Sequence, residues 1–186
     1  MSKPVIGFIG LGLMGGNMVE NLQKKGYPLV VMDLNPEAVN VCVERGAKAA
    51  NTPKELAEQA DIVMLCLTTS AVVEKVIFGE NGLAEGMKQG STLIDFGTSV
   101  PASTRKIGEA LAKIGVGMVD APLGRTPAHA KDGLLNIMAA GNKDTFEKVR
   151  PVLEDQGENV FYLGELGAGH TTKLINNFMG MTTVCA

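Results

Sequence analysis

Tryptophan is absent from the 186 residues, and aromatic side chains make up only 4% of them. Histidine is scarce as well, with His129 and His170 alone, and cysteine is limited to Cys42, Cys66 and Cys185. An odd cysteine count with no C-x-x-C spacing, beside so few histidines, excludes a zinc or disulfide framework. No charge of one sign dominates: 17 Lys+Arg stand against 20 Asp+Glu, a net of −3. A chain built to hold a phosphate backbone needs a strongly basic surface, so nucleic acid is excluded as a partner. Long apolar runs are missing too. The longest, residues 62–67, is far too short to span a bilayer, so no membrane partner is expected. Met1-Ser2-Lys3-Pro4 carries no signal-peptide pattern and leads straight into a strand-like run. With 45% hydrophobic and 20% charged residues, disorder is excluded, and a cytoplasmic globular chain is expected.

Glycine, with 23 residues, and methionine, with 10, are abundant. Glycine without low-complexity tracts implies tight turns or close approach of backbone to a ligand, and most of the methionines are expected to fill the core. Short β-branched runs alternate with amphipathic segments along the chain. The pattern predicts strands over residues 5–9, 29–33, 62–67, 92–96, 118–121, 135–139 and 160–163. Helices are predicted over 14–25, 36–45, 71–78, 102–114, 145–155 and 170–186, and another opens at Thr52. Asn35-Pro36 reads as a cap followed by proline in the first turn, and Thr52-Pro53-Lys54-Glu55 has capping-box spacing. Strand–helix alternation of this kind predicts an α/β fold with a doubly wound, mostly parallel Rossmann-type sheet.

The first turn carries chemistry. Gly10-Leu11-Gly12-Leu13-Met14-Gly15 follows a strand and opens a helix, and an acidic residue, Asp33, closes the next strand about 20 residues on. In such a turn Gly10 allows the tight bend, Gly12 leaves room for a pyrophosphate, and Gly15 lets helix and strand pack closely. Asp33 would accept hydrogen bonds from the adenosine ribose and repel a 2′-phosphate, which points to NAD rather than NADP. Its alternative role is to cap the Asn35-Pro36 turn.

The hexapeptide with Asn17-Met18 and Asn21-Leu22 resembles the β-hydroxyacid dehydrogenase family, which includes 3-hydroxyisobutyrate dehydrogenase and tartronate semialdehyde reductase. Further motifs agree in the family's order: Phe78-Gly79-Glu80-Asn81-Gly82, Asp95-Phe96-Gly97-Thr98-Ser99-Val100-Pro101, Asp120-Ala121-Pro122, and Gly169-His170-Thr171-Thr172-Lys173-Leu174-Ile175-Asn176-Asn177. The resemblance covers essentially the whole chain. It implies a Rossmann domain over residues 1–164 and, over 165–186, the start of an interdomain helix leading to an all-helical domain that this chain lacks. It implies NAD as cofactor, a small anionic aldehyde or its primary alcohol as substrate, and a homo-oligomer at full length. The alternative of another class is a dinucleotide-binding module that does not catalyse, to which loss of Lys173 would have pointed. Without a covering helical domain, the chain as written is expected to bind cofactor with little or no turnover, and its apolar last helix to self-associate.

Lys173 and Asn177 are four residues apart and share a helix face. Hydride transfer to a carbonyl creates an alkoxide that needs a proton donor within hydrogen-bond reach. The resemblance assigns that proton to Lys173, with partial burial lowering its pKa, and makes Asn177 the residue that holds the substrate hydroxyl or orients the lysine. Taken alone, a Lys–Asn pair on a helix is a solvated face.

One segment departs from the family pattern. Asp-Ala-Pro and a hydrophobic residue, here Leu123, are usually followed by Ser-Gly-Gly, and here by Gly124-Arg125-Thr126. Arginine in an anion pocket adds a planar five-donor fork suited to a highly oxygenated anion. This variant resembles the branch that reduces 3-sulfolactaldehyde, with Thr126 adding a hydroxyl donor. The alternatives are a carboxylate held through the Gly124 N–H, with Arg125 as a loop residue, or a phosphonate or phosphate ester. Thr98, just after a strand, is expected to meet the nicotinamide ribose or substrate unless it caps a helix, and Leu67-Thr68 is expected to offer a backbone contact. His170 is expected on the helix surface or lining a pocket, and His129 in a loop over 127–132, away from the anion. Cys66 is expected in the core with Cys42 facing it, and Cys185 near an exposed end.

Overall fold

The computed structural model describes residues 3–185, with side chains placed through residue 183. The chain begins with β1 (Ile6–Ile9), α1 (Leu13–Lys24), β2 (Leu29–Met32), α2 (Pro36–Glu44) and β3 (Lys48–Ala49). Then come α3 (Pro53–Gln59), β4 (Ile62–Leu65), α4 (Ser70–Phe78), α5 (Leu83–Gly86), β5 (Thr92–Asp95), α6 (Pro101–Ala112) and β6 (Gly117–Asp120). The last third is β7 (Leu123–Gly124), α7 (Pro127–Lys131), β8 (Leu135–Gly141), α8 (Lys143–Gln156), β9 (Gly157–Tyr162) and α9 (Ala168–Cys185).

The sheet runs β3-β2-β1-β4-β5-β6-β8-β7, with β9 on β8. β3 to β6 are parallel, β8 turns antiparallel against β6 and β7, and β9 lies parallel to β8. The expected doubly wound, mostly parallel sheet is therefore present. Period-two alternation splits its side chains between two cores. On β4, Ile62 and Met64 join Ile6, Phe8, Met18 and Leu22 on one face, while Val63 and Leu65 join Leu56, Ile77, Leu93 and Leu111 on the other. All four residues of β1, β4 and β5 are buried, as helices on both faces require.

Side-chain caps fix several helix starts. Asn35 accepts the Glu37 N–H at 3.0 Å, and Thr52 accepts the Glu55 N–H at 3.1 Å. Glu55 reaches back one residue further than a standard capping box, to the Asn51 N–H at 2.8 Å.

Short elements escaped the sequence pattern, because two to five residues carry too little periodicity. These are β3, α5, β7 and α7, the last lying where a loop over 127–132 was expected. β9 starts three residues earlier than expected, because Gly157 leaves α8 directly into the strand. A Cβ there would stand 2.9 Å from the Leu135 carbonyl oxygen. The methionines divide. Met18, Met64, Met87 and Met118 are buried as expected, whereas Met179 and Met181 are exposed on α9. Cys42 is buried and Cys66, just beyond β4, packs against the same core; the Cys185 side chain and Ala186 lie outside the described residues.

Candidate active site

Parallel strands in register bring their carboxyl ends level. Ile9 pairs with Met32 and Leu65, Leu65 with Asp95, and Asp95 with Asp120, so the residues that follow form one edge. Backbone bonds carry that row one residue onward: Gly10 N–H to Met32, Cys66 N–H to Ile9, Phe96 N–H to Leu65 and Ala121 N–H to Asp95, at 2.8–3.1 Å. The crossover from β1 runs to β2 on one side, while α3 carries the chain from β3 back to β4 on the other, and ligands of such sheets bind at this reversal.

The three glycines of the first turn differ in what they permit. Gly10 has φ +99°, and a Cβ on it would lie 2.3 Å from the Cys66 carbonyl oxygen. A Cβ on Gly15 would lie 1.8 Å from the Gly10 carbonyl oxygen, so only glycine lets α1 sit this close to the turn. Gly12 has open space where its Cβ would be, so nothing in the protein itself demands glycine there. It begins α1 with no side-chain cap and no acidic residue in the first turn. A turn with free N–H groups, a helix dipole and a cleared approach fits a pyrophosphate. Leu11 is buried, Met14 half-buried, and Leu13 is 82% exposed on that approach.

Asp33 takes the capping role considered for it and also braces the glycine turn. One carboxylate oxygen accepts the Leu11 N–H at 2.6 Å and the other the Asn35 N–H at 2.8 Å, while Asn35 itself caps α2. The carboxylate therefore ties the glycine turn to the end of β2. Thr68 and Thr98 are exposed and Leu67 is half-buried on the same edge. Thr98 does not cap α6, whose cap position is Val100.

The departing segment sits at the far side of the edge. Leu123 is buried and pairs with Ile137, and Gly124 pairs with Asn136. Arg125 has φ +77°, a conformation that glycine adopts freely and arginine only under strain. Its guanidinium donates to the Leu134 carbonyl at 2.7 Å and pairs with Glu158. Thr126 lies 2.8 Å, Oγ1 to Nδ1, from His129. Asn17 on α1 donates to the Pro127 carbonyl at 3.0 Å, joining this segment to the glycine turn's own helix.

α9 brings the remaining residues. Lys173 is half-buried, and that burial holds its ammonium below the ordinary lysine pKa. Asn177, a turn further on, is exposed. His170 was expected on the helix surface or lining a pocket, but its side chain is fully buried. Its Nδ1 lies 2.8 Å from Thr104 Oγ1, and each ring nitrogen lies 3.7 Å from a carboxylate oxygen, Nδ1 from Asp120 and Nε2 from Asp95. Asp95 also accepts the Gly97 N–H and the Ser99 hydroxyl, both at 2.9 Å. No role was read for either aspartate in the sequence. The available signal was an acidic residue at the same end position of two otherwise apolar strands.

Comparison with known proteins places this geometry. Residues 5–164 match the family described as the NAD binding domain of 6-phosphogluconate dehydrogenase. The chain is 37% identical over 178 residues to a probable mitochondrial 3-hydroxyisobutyrate dehydrogenase of Dictyostelium discoideum, covering 96% of this chain and 56% of that protein. It is 39% identical over 176 residues to 3-sulfolactaldehyde reductase of Escherichia coli, covering 95% and 59%. Among solved structures, a Mycobacterium tuberculosis 3-hydroxyisobutyrate dehydrogenase with L-serine superposes with a TM-score of 0.89 at 28% identity, over 95% of this chain and 60% of that one. The chain thus spans little more than half the length of the curated relatives it matches. With its NAD-binding sheet, its glycine turn and its lysine-bearing last helix, the chain belongs to the β-hydroxyacid dehydrogenase family.

Proposed function

We propose that this chain is the cofactor-binding and proton-donating part of a longer NAD-dependent reductase that interconverts a small anionic aldehyde and its primary alcohol. The observation that carries the reading is Lys173, a lysine half-buried on α9 and depressed in pKa by that burial. NAD, when bound, supplies or accepts the hydride. The Gly10–Gly15 turn and the start of α1 hold its diphosphate, and Asp33 meets its ribose. Lys173 donates its proton to the oxygen of the aldehyde during reduction and takes it back from the alcohol during oxidation. Asn177, one turn away on the same face, orients that hydroxyl. The exposed Leu174, Ile175, Phe178, Met179 and Met181 on α9 support a further part of the protein covering the substrate and excluding water.

The favoured substrate is 3-sulfolactaldehyde, reduced to 2,3-dihydroxypropane-1-sulfonate. Gly124, Arg125 and Thr126 hold the sulfonate, with Leu123 at the pocket wall, and the Escherichia coli relative supports this choice. A second reading, a carboxylate substrate such as 3-hydroxyisobutyrate or tartronate semialdehyde, draws support from the commitment of Arg125 to Glu158 and the Leu134 carbonyl. On the sulfonate reading that pair opens when the anion enters. Initial rates of the full-length enzyme with NADH on 3-sulfolactaldehyde and tartronate semialdehyde, with Arg125→Gly alongside, separate the two. Preference for the sulfonate, lost in Arg125→Gly, is the expected result. A carboxylate preference unchanged by the mutation overturns the sulfonate assignment.

A further inference from the structure

We propose that Asp120 and His170, with Thr104 and Asp95 behind the imidazole, are positioning residues that seat the first turn of α9 and thereby fix Lys173. The inference rests on the reading of Lys173 as proton donor, but its geometry stands without that reading.

A helix leaves its first four N–H groups without intrahelical partners, and a side chain from its own first turn commonly takes one. α9 is held differently. Asp120, at the end of β6, accepts the Gly167 N–H on one carboxylate oxygen and the His170 N–H on the other, both at 2.7 Å. The acceptor comes from a strand 47 and 50 residues earlier, so it ties the helix to the sheet rather than merely ending it. A carboxylate is also the charge that the positive end of a helix favours. The approach is as close as backbone permits. A Cβ on Gly169 would stand 2.3 Å from the Met138 carbonyl oxygen and 2.9 Å from Asp120 Oδ2.

The imidazole adds a second tie. His170 drives inward from the same turn to meet Thr104 of α6, whose hydroxyl also lies 3.3 Å from the Val100 carbonyl. Its Nε2 has no hydrogen-bond partner among the described residues and lies 3.7 Å from Asp95 of β5. Two elements, β6 and α6, thus bond one helical turn, with Asp95 of β5 beside the imidazole, and Lys173 stands three residues beyond His170 on the next. Arg105 comes close to Gly167 from α6, where a Cβ would lie 2.7 Å from its guanidinium. Among the described residues, Asp95, Asp120, His170 and Arg105 stand around the turn, with the Cys66 thiol near Asp95. Two buried carboxylates and an imidazole with an unpaired nitrogen are a costly way to stabilise a core. Burial pushes the Asp120 carboxyl above its ordinary pKa, and the two N–H groups only partly pull it back. An apolar contact would hold the helix at lower cost, but it would not fix two backbone N–H groups in direction.

The test reads Lys173 itself. Acetic anhydride labelling across pH, quantified by mass spectrometry against exposed Lys113 and Lys143, gives its titration in the full-length enzyme without substrate or cofactor. Asp120→Asn and His170→Ala are expected to release the turn and let water reach Lys173. Loss of burial raises the lysine pKa, so at about pH 8 its reactive neutral form falls about tenfold relative to the reference lysines. His170→Asn, which keeps a donor towards Thr104, is expected to recover part of the wild-type profile. NADH affinity is expected to stay within about twofold, because the glycine turn lies on other strands. Thr104→Val removes the imidazole's partner at nearly constant volume and decides the matter if the other variants fail to fold. A Lys173 titration unchanged in every variant that folds overturns the proposal. Lys173→Ala keeps the two ideas apart: retained turnover there overturns the proton-donor reading while leaving the labelling result to stand.

Discussion

The two ends of the candidate site are built by different means. The glycine turn and Asp33 lie within 24 consecutive residues, Gly10 to Asp33, and their reasons are local. A positive φ, a Cβ with no room and a carboxylate reaching the turn's own N–H all follow from short-range chain geometry. The lysine-bearing half is assembled from afar. Lys173 stands on a helix whose first turn bonds Asp120 and Thr104, and Arg125 pairs with Glu158 and the Leu134 carbonyl. Local construction makes a binding cradle that survives in many contexts. On the proposed reading, distant construction makes the half that discriminates, because each contact can be retuned from another strand.

This contrast can be broken or sharpened by mutation. The largest expected effect is on catalysis. Lys173→Ala should lower turnover by about 10²–10⁴-fold with NADH affinity unchanged, as read by rates and cofactor fluorescence. Gly15→Ala should cost about 1–3 kcal/mol in thermal or urea unfolding and abolish measurable NADH binding, since its methyl group meets a backbone carbonyl. Gly12→Ala is the sharper probe of the cradle. Open space around it leaves stability within about 0.5 kcal/mol of wild type, while NADH binding weakens at least about tenfold. A Gly12→Ala protein that binds NADH normally would remove the pyrophosphate from that turn. Arg125→Gly is expected to change stability only slightly. Relief of the strained backbone offsets the lost ion pair and the added chain freedom, leaving less than about 1 kcal/mol in unfolding.

The same division explains what the sequence revealed. Buried strands, the capped helices at Asn35 and Thr52, and the glycine turn were legible because each is encoded within a few residues. α7 and β7 were not, being too short to show a period. His170 illustrates the deeper limit. Its neighbours on the helix are polar threonines, so the sequence reads as a surface turn, yet Asp95 and Asp120 from two strands meet it in the core. Arg125 was legible as a departure from a family pattern. Its partner Glu158, 33 residues on, was not, because β9 meets β8 only in the folded sheet.

The measurement closest to the central claim is the pH dependence of NADH-driven aldehyde reduction by the full-length enzyme. Reduction needs the protonated amine, so the rate should fall as pH rises through the Lys173 pKa, at a pH below the ordinary lysine range because burial lowers that pKa. Oxidation of the alcohol should rise through the same midpoint, and Lys173→Ala should leave both profiles low and flat there. A Lys173→Ala enzyme with the wild-type rate and the same pH midpoint would contradict the assignment of the proton to Lys173.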